Sequence, residues 1–357
     1  MTLDAVLEQP EATLLLRAAL AEGVAHAYLF YGPAGVGKRE TALAFAGAVL
    51  GDPGRAARRA HPDLYVLEPL GDQIRIDEIR ELRRDLHMRP FEANRRVYLV
   101  FGAQLMNAEA ADALLKDLEE PPPYAVVVLV ADELGPLPET IRSRCQLVAF
   151  RRLSERAIRA RLQAEAPGLA EEEATVLARV AGGRLDRMRR LLDDGGSRRR
   201  RELLGLARSV YLDPGFDPIA AAAAVQALAG ERAREAKEAA EREVEQLELP
   251  PREAELRVRR AERGAEREEV LLALDELAAW YRDLVVLAAG ARGAVFHLDG
   301  LHELAADASI ERMFAAEAAA EAIRETWRTF EEFNVSTSLA LESLFVRLRR
   351  ELAGVGS

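Results

Sequence analysis

The sequence predicts an α/β domain on a five-stranded parallel sheet, followed by an all-α remainder. Three observations carry this. Five short apolar runs alternate with helix-period segments over residues 1–150, strand-like runs cease after Phe150, and residues 230–269 are almost entirely Ala, Glu and Arg.

Taken in order, the N-terminal segment to Leu20 has Leu14, Leu15, Ala18 and Ala19 on one helical stripe. The five strands are expected at Ala27–Tyr31, Asp63–Leu67, Val97–Phe101, Ala125–Ala131 and Gln146–Phe150. Helices at Glu40–Leu50, Ile76–Leu86 and Ala108–Glu119 separate them, and Pro121-Pro122-Pro123 stops the third. Alternation of this kind implies a largely parallel sheet covered on both faces. Ser154 reads as the N-cap of a helix over Glu155–Ala166, with further helices at Glu171–Val180 and Leu185–Leu192. Asp193–Ser197 is expected to be a linker, and the Arg198–Arg201 run beside it a solvated stretch. Residues 230–269 should form an antiparallel charged hairpin turning at Pro250-Pro251. Leu341, Leu344, Phe345, Leu348 and Leu352 mark one face of a final helix.

Hydrophobic residues make up 49% and charged residues 31% of the 357, the balance of a helix-rich soluble chain. The formal charge of 49 − 60 = −11 supplies no global basic field for nucleic acid, so any DNA contact must use local patches or a surface shared with partners. A single cysteine, Cys145, excludes a disulfide framework or a cysteine zinc site within one chain. No signal peptide shows at the N-terminus and no apolar run approaches membrane-spanning length. A cytosolic location with no membrane contact is expected.

Gly32-Pro33-Ala34-Gly35-Val36-Gly37-Lys38-Arg39 is the motif with chemistry in it. It lies between a strand and a helix, the context that makes a P-loop pattern specific. Glycines let backbone N–H groups close on a phosphate, and the helix dipole favours an anion there. Lys38 is the residue to reach the terminal phosphates. The last position departs from the pattern: Arg39 stands where a Ser or Thr hydroxyl holds magnesium, and a guanidinium cannot ligate a cation. The third strand runs into Phe101-Gly102-Ala103 with no carboxylate to hold a metal or prepare a water. His61 and His87 have no ligand-spaced partner and read as packing or surface residues.

Several stretches then resemble a known family, the bacterial clamp-loader proteins of the AAA+ class. They are His26–Phe30, His61–Tyr65, Ile74–Arg80, Ala113–Pro122 and Ile141–Cys145, which cover most of residues 1–150; the likeness thins to Gly182–Leu191 and Phe333–Leu348. The resemblance implies three domains: an AAA+ core at 1–150 with a degenerate nucleotide site, a small helical lid at 151–205 and a helical collar for oligomerisation at 206–357. It marks Arg144, within Ser143-Arg144-Cys145, as an arginine finger for a neighbouring subunit's nucleotide, and Arg187 as a nucleotide sensor. Cys145 itself reads as a buried small residue. The family's polar sensor position falls at Ala131-Asp132, and its four-cysteine zinc module is replaced by the short, cysteine-free Gly51–Ala60.

These departures point to a non-hydrolysing branch of the family: a component of a DNA-directed DNA polymerase with no ATPase activity of its own. ATP or ADP would be held without hydrolysis if held at all, and neither zinc nor another metal is expected. Implied partners are motor subunits and a delta subunit in a hetero-pentamer, a sliding clamp, and primer–template DNA through the assembled complex. Two rivals stay open on sequence alone, an active motor-type ATPase and a DNA-binding or adaptor protein outside the polymerase.

Overall fold

The computed structural model describes residue 3 and residues 8–69, 73–247, 251–332 and 335–353. The chain divides into two compact units, one of residues 1–164 with 182–187 and one of residues 165–181 with 188–357.

The first unit is built on strands β1 (Ala27–Tyr31), β2 (Leu64–Leu67), β3 (Arg96–Phe101), β4 (Ala125–Ala131) and β5 (Gln146–Ala149). All four pairings are parallel and the order is β2-β3-β4-β1-β5. Helices α1 (Pro10–Glu22), α2 (Lys38–Leu50), α3 (Pro53–Ala57), α4 (Ile76–Leu86), α5 (Ala108–Glu119), α6 (Glu139–Arg142) and α7 (Glu155–Glu165) surround it. Strands β3 and β4 are buried along their whole length, so β4, and β3 after Arg96, run as apolar stretches without alternation. Side chains still alternate between two cores. Tyr28 and Phe30 of β1 face Leu16 of α1 and Phe45 of α2, whereas Ala27 and Leu29 face Ile79 and Leu82 of α4 and Leu114 of α5. The expected strands and intervening helices are all present, with ends shifted by no more than two residues.

Asp63, just ahead of β2, fixes the loop before β3. Its buried carboxylate accepts the backbone N–H groups of Phe91, Glu92 and Ala93 at 2.6, 2.9 and 2.8 Å. Burial pushes this carboxyl up, but the three N–H donors outweigh it and hold the group below the usual carboxylate range. Ser154 caps α7 through Oγ, which accepts the Ala157 N–H at 3.1 Å.

The regular elements described in the second unit are helices: α8 (Glu171–Val180), most of α9 (Leu185–Leu192), α10 (Asp194–Leu212), α11 (Pro218–Leu247), α12 (Pro251–Ala288), α13 (Leu301–Asp307), α14 (Ile310–Glu332) and α15 (Thr337–Leu352). Leu274, Leu277, Tyr281, Ile323, Leu344, Phe345 and Leu348 meet in its core. Helices α11 and α12 run antiparallel, as ion pairs Glu243–Arg257 at 2.6 Å and Lys237–Glu262 at 3.9 Å require. Pro250 of the expected turn, and Phe333 at the start of the C-terminal family stretch, lie outside the described residues.

Two expectations are corrected here. Asp193–Ser197 is no linker: Asp193 caps α10 by accepting the Gly196 N–H at 2.7 Å, and the glycines are helical. Gly196 serves close packing, since a β-carbon there would lie 2.4 Å from the Arg190 carbonyl oxygen. Nor is Arg198–Arg201 uniformly solvated. Arg199 is 1% and Arg200 3% exposed. Arg199 pairs with Glu235 at 2.7 Å, and Arg200 with Glu276 at 3.1 Å and Asp299 at 2.5 Å. Carboxylates far along the chain, of which Glu276 is buried, decide the fate of these arginines, and no local pattern reports them. Of residues 151–205, those at 151–164 and 182–187 belong to the first unit and the rest to the second.

Candidate nucleotide site

Gly32–Arg39 leaves the end of β1 and enters α2, whose N-cap is Gly37 in the left-handed region. Gly32 has φ +136 and a β-carbon there would lie 2.1 Å from the Phe150 carbonyl oxygen, so the turn is pressed against the end of β5. The tight glycine-rich strand-to-helix turn expected from the sequence is therefore present. The charges around it are arranged for another purpose.

Lys38 is 4% exposed and is turned inward. Its Nζ donates to the carbonyl oxygens of Gly32 at 2.6 Å and Pro33 at 2.5 Å, and pairs with Asp132 at 2.8 Å. Burial pushes the ammonium below its ordinary value, and Asp132 offsets this only in part. Asp132 follows β4, at the position where a polar sensor was expected. Gln104 holds it on both sides, its Oε1 accepting the Asp132 N–H at 3.3 Å and its Nε2 donating to Oδ2 at 3.5 Å.

Arg39 takes up the metal position in a stable arrangement of its own. Its guanidinium lies 4.2 Å from the centre of the Phe101 ring and pairs with Glu68, just beyond β2. Arg59 joins Glu68 at 3.0 Å. Arg39 and Phe101 thus replace hydroxyl and metal-binding carboxylate together, as a stacked pair. The stack contributes about 0.5–1 kcal/mol at such a half-exposed site. These residues do not fit magnesium, and among the described residues no group of three or more His, Cys, Asp or Glu could hold a metal ion.

The segment 182–187 closes on the turn. The Leu185 N–H donates to the Gly35 carbonyl at 2.6 Å. Asp186 lies so near that its Oδ1 is 1.8 Å from where a Gly35 β-carbon would be. Arg184 holds that carboxylate through Nε at 3.1 Å and Nη2 at 2.6 Å. Burial raises the Asp186 carboxyl, but Arg184 outweighs it and the net shift is downward. Arg187, singled out in the sequence, donates its backbone N–H to Asp186, while the residues seen against the turn are Leu185 and Asp186. Glu68 and Asp186 had not been linked to this site by sequence. An acidic residue on an element far along the chain carries no local mark of where it will pack.

Arg144 sits between α6 and β5. Its Nη1 donates to the Thr140 carbonyl at 2.9 Å and to Ser143 Oγ at 3.3 Å, and its Nη2 pairs with Glu119 at the end of α5. About a third of the side chain is exposed. Because the sheet is parallel, Arg144 precedes the N-terminal end of β5, whereas the glycine-rich turn follows the C-terminal end of neighbouring β1. The length of β5, Gln146–Ala149, lies between Arg144 and the Tyr31 partner Ala149, about 10 Å of strand at ~3.3 Å per residue. The two parts do not form one site within the chain. Cys145 is buried, and burial pushes its thiol up to about 12, which leaves it inert.

Residues 8–154 match the family described as DNA polymerase III, delta subunit. The chain is 34% identical over 151 residues to the delta' subunit of DNA polymerase III from Bacillus subtilis, covering 39% of this chain and 46% of that protein. It is 40% identical over 136 residues to the delta' subunit from Pseudomonas aeruginosa, covering 34% and 42%. It thus spans less than half the length of these curated relatives. Among solved structures, a gamma subunit-related protein of DNA polymerase III from Thermotoga maritima aligns over 96% of this chain and 99% of its own, at 19% identity and a TM-score of 0.42. The sequence matches relate the sheet-bearing N-terminal region of this chain to the delta' subunits of the clamp-loader family.

Proposed function

We propose that this chain is a non-hydrolysing clamp-loader subunit of the delta' type, which offers Arg144 to a nucleotide held by an adjoining motor subunit. The observation that carries the reading is the separation of Arg144 from Gly32–Arg39 at opposite ends of a parallel sheet. A guanidinium so placed cannot serve its own turn, and about a third of it is open to a neighbour. Offered across an interface, it would stabilise charge on a transferring phosphoryl group. Glu119 and the Thr140 carbonyl hold it ready, in a fork that a lysine could not reproduce.

The chain's own turn supports a structural role. Lys38 is neutralised by Asp132 and Arg39 is stacked on Phe101, and among the described residues no group could hold a metal there. Motor subunits and a delta subunit in a hetero-pentamer, a sliding clamp and primer–template DNA held by the assembly are the partners proposed. The helical second unit is the proposed collar. Among the described residues no helix is long and apolar enough to cross a membrane.

The test is Arg144→Ala in a reconstituted complex. Clamp- and DNA-stimulated ATP turnover at the adjoining site should fall on the order of 10³–10⁵-fold. Undiminished turnover refutes the assignment.

A further inference from the structure

We infer that Asp186 is a built-in occupant of the phosphate-binding turn and keeps polyphosphates out of it. The inference rests on the reading of Gly32–Arg39 as a degenerate P-loop and is independent of Arg144. The turn retains the backbone of an anion site, but segment 182–187 is tied down over it. Leu185 N–H is bonded to the Gly35 carbonyl at 2.6 Å, and Leu185 Cδ1 lies 3.7 Å from where a Gly37 β-carbon would be. On the other side, Leu153 N–H donates to the Gly183 carbonyl at 3.2 Å, and Arg152 donates to the Gly182 carbonyl at 3.1 Å. A β-carbon at Gly183 would lie 2.5 Å from the Leu153 carbonyl oxygen, so the segment packs closely against the chain that leaves β5.

The cations of the turn are already paired. Lys38 faces Asp132 at 2.8 Å, Arg39 pairs with Glu68, and Arg184 grips Asp186 at 2.6 Å. A triphosphate entering this turn would add several negative charges beside Asp186 and Asp132. Arg39 stands in the metal position, so no divalent cation could screen them there. The Asp186 carboxylate is thus fixed against the loop where an incoming anion would have to approach. The class of ligand it excludes is a nucleoside triphosphate or an inorganic polyphosphate.

The experiment uses the purified full chain and isothermal titration calorimetry with two probes, ATP and inorganic tripolyphosphate. The unaltered chain should give no saturable heat with either. Asp186→Asn removes the charge at nearly constant volume and releases Arg184 toward a phosphate. It should bind both probes on the order of tenfold to a hundredfold more tightly, without ATP turnover. Adding Lys38→Ala should abolish the gain, which locates it at the turn. Asp186→Ser serves if circular dichroism shows that Asp186→Asn does not fold. Equal binding by the unaltered chain and the folded variant overturns the inference, as does a folded variant that binds neither probe. Neither result touches the arginine-finger assignment, because Arg144 is intact in every variant.

Discussion

The Lys38 ammonium lies 2.8 Å from the Asp132 carboxylate, joining the residue after the glycine-rich turn to the residue after strand β4. In a working P-loop that ammonium is kept for phosphate. Here it is satisfied by Asp132 and two carbonyl oxygens of its own loop. Pairing with Asp132 offsets part of the cost of burying this lysine, so the turn keeps its charge without a ligand.

Restoring the missing hydroxyl should not restore hydrolysis. Arg39→Thr removes the cation from the metal position but leaves Phe101 where a ligating carboxylate is needed. No ATP turnover above background is expected from the purified variant. Stability should fall by at most about 1 kcal/mol, since a half-exposed stack and a surface ion pair are lost. Multiple turnovers by Arg39→Thr would show that the metal can be held some other way.

Asp63 should be among the most sensitive positions of the first unit. Asp63→Asn keeps the size but removes the charge that three N–H groups converge on. A loss of about 2–4 kcal/mol is expected in a urea titration at neutral pH. The folded-state carboxyl lies below its unfolded value near 3.8, so its contribution is present above that value and is lost as pH falls through the folded pKa. The variant should therefore show a smaller acid-induced loss than the unaltered chain.

The second unit carries a buried histidine with the opposite dependence. His297 is 2% exposed, with Nδ1 2.8 Å from Asp283 and Nε2 3.2 Å from Glu276; Arg200 pairs with Glu276 and Arg282 with Asp283. Both ring nitrogens face carboxylate oxygens, an arrangement suited to the imidazolium. Burial lowers its pKa, but the two carboxylates outweigh that and the net shift is upward from 6.5. Its contribution is fully present below 6.5 and is lost as pH rises through the folded value. Urea midpoints at pH 6 and pH 9 should show the unaltered chain losing stability with rising pH and His297→Gln losing less. Equal losses in the two proteins would count against a charged ring.

The sequence by itself determined the strands, most helices, the glycine-rich turn and its missing hydroxyl and carboxylate. These depend on backbone permissiveness, apolar periodicity and residue chemistry within a few positions, all of which are local. It also marked Arg144 and the position of Asp132. It could not reveal that Asp132 neutralises Lys38, that Glu68 receives Arg39, or that Asp186 covers Gly35, because the partners stand 94, 29 and 151 positions apart along the chain. The same limit turned a Gly-rich, Arg-rich stretch at 193–201 into an expected linker. Only packing showed that Gly196 admits a close helix contact and that the buried Arg199 and Arg200 reach the distant carboxylates of Glu235 and Glu276. Tertiary structure decided these matters because a charge is stabilised by whatever lies within a few ångströms, and the fold alone sets which distant residue that is.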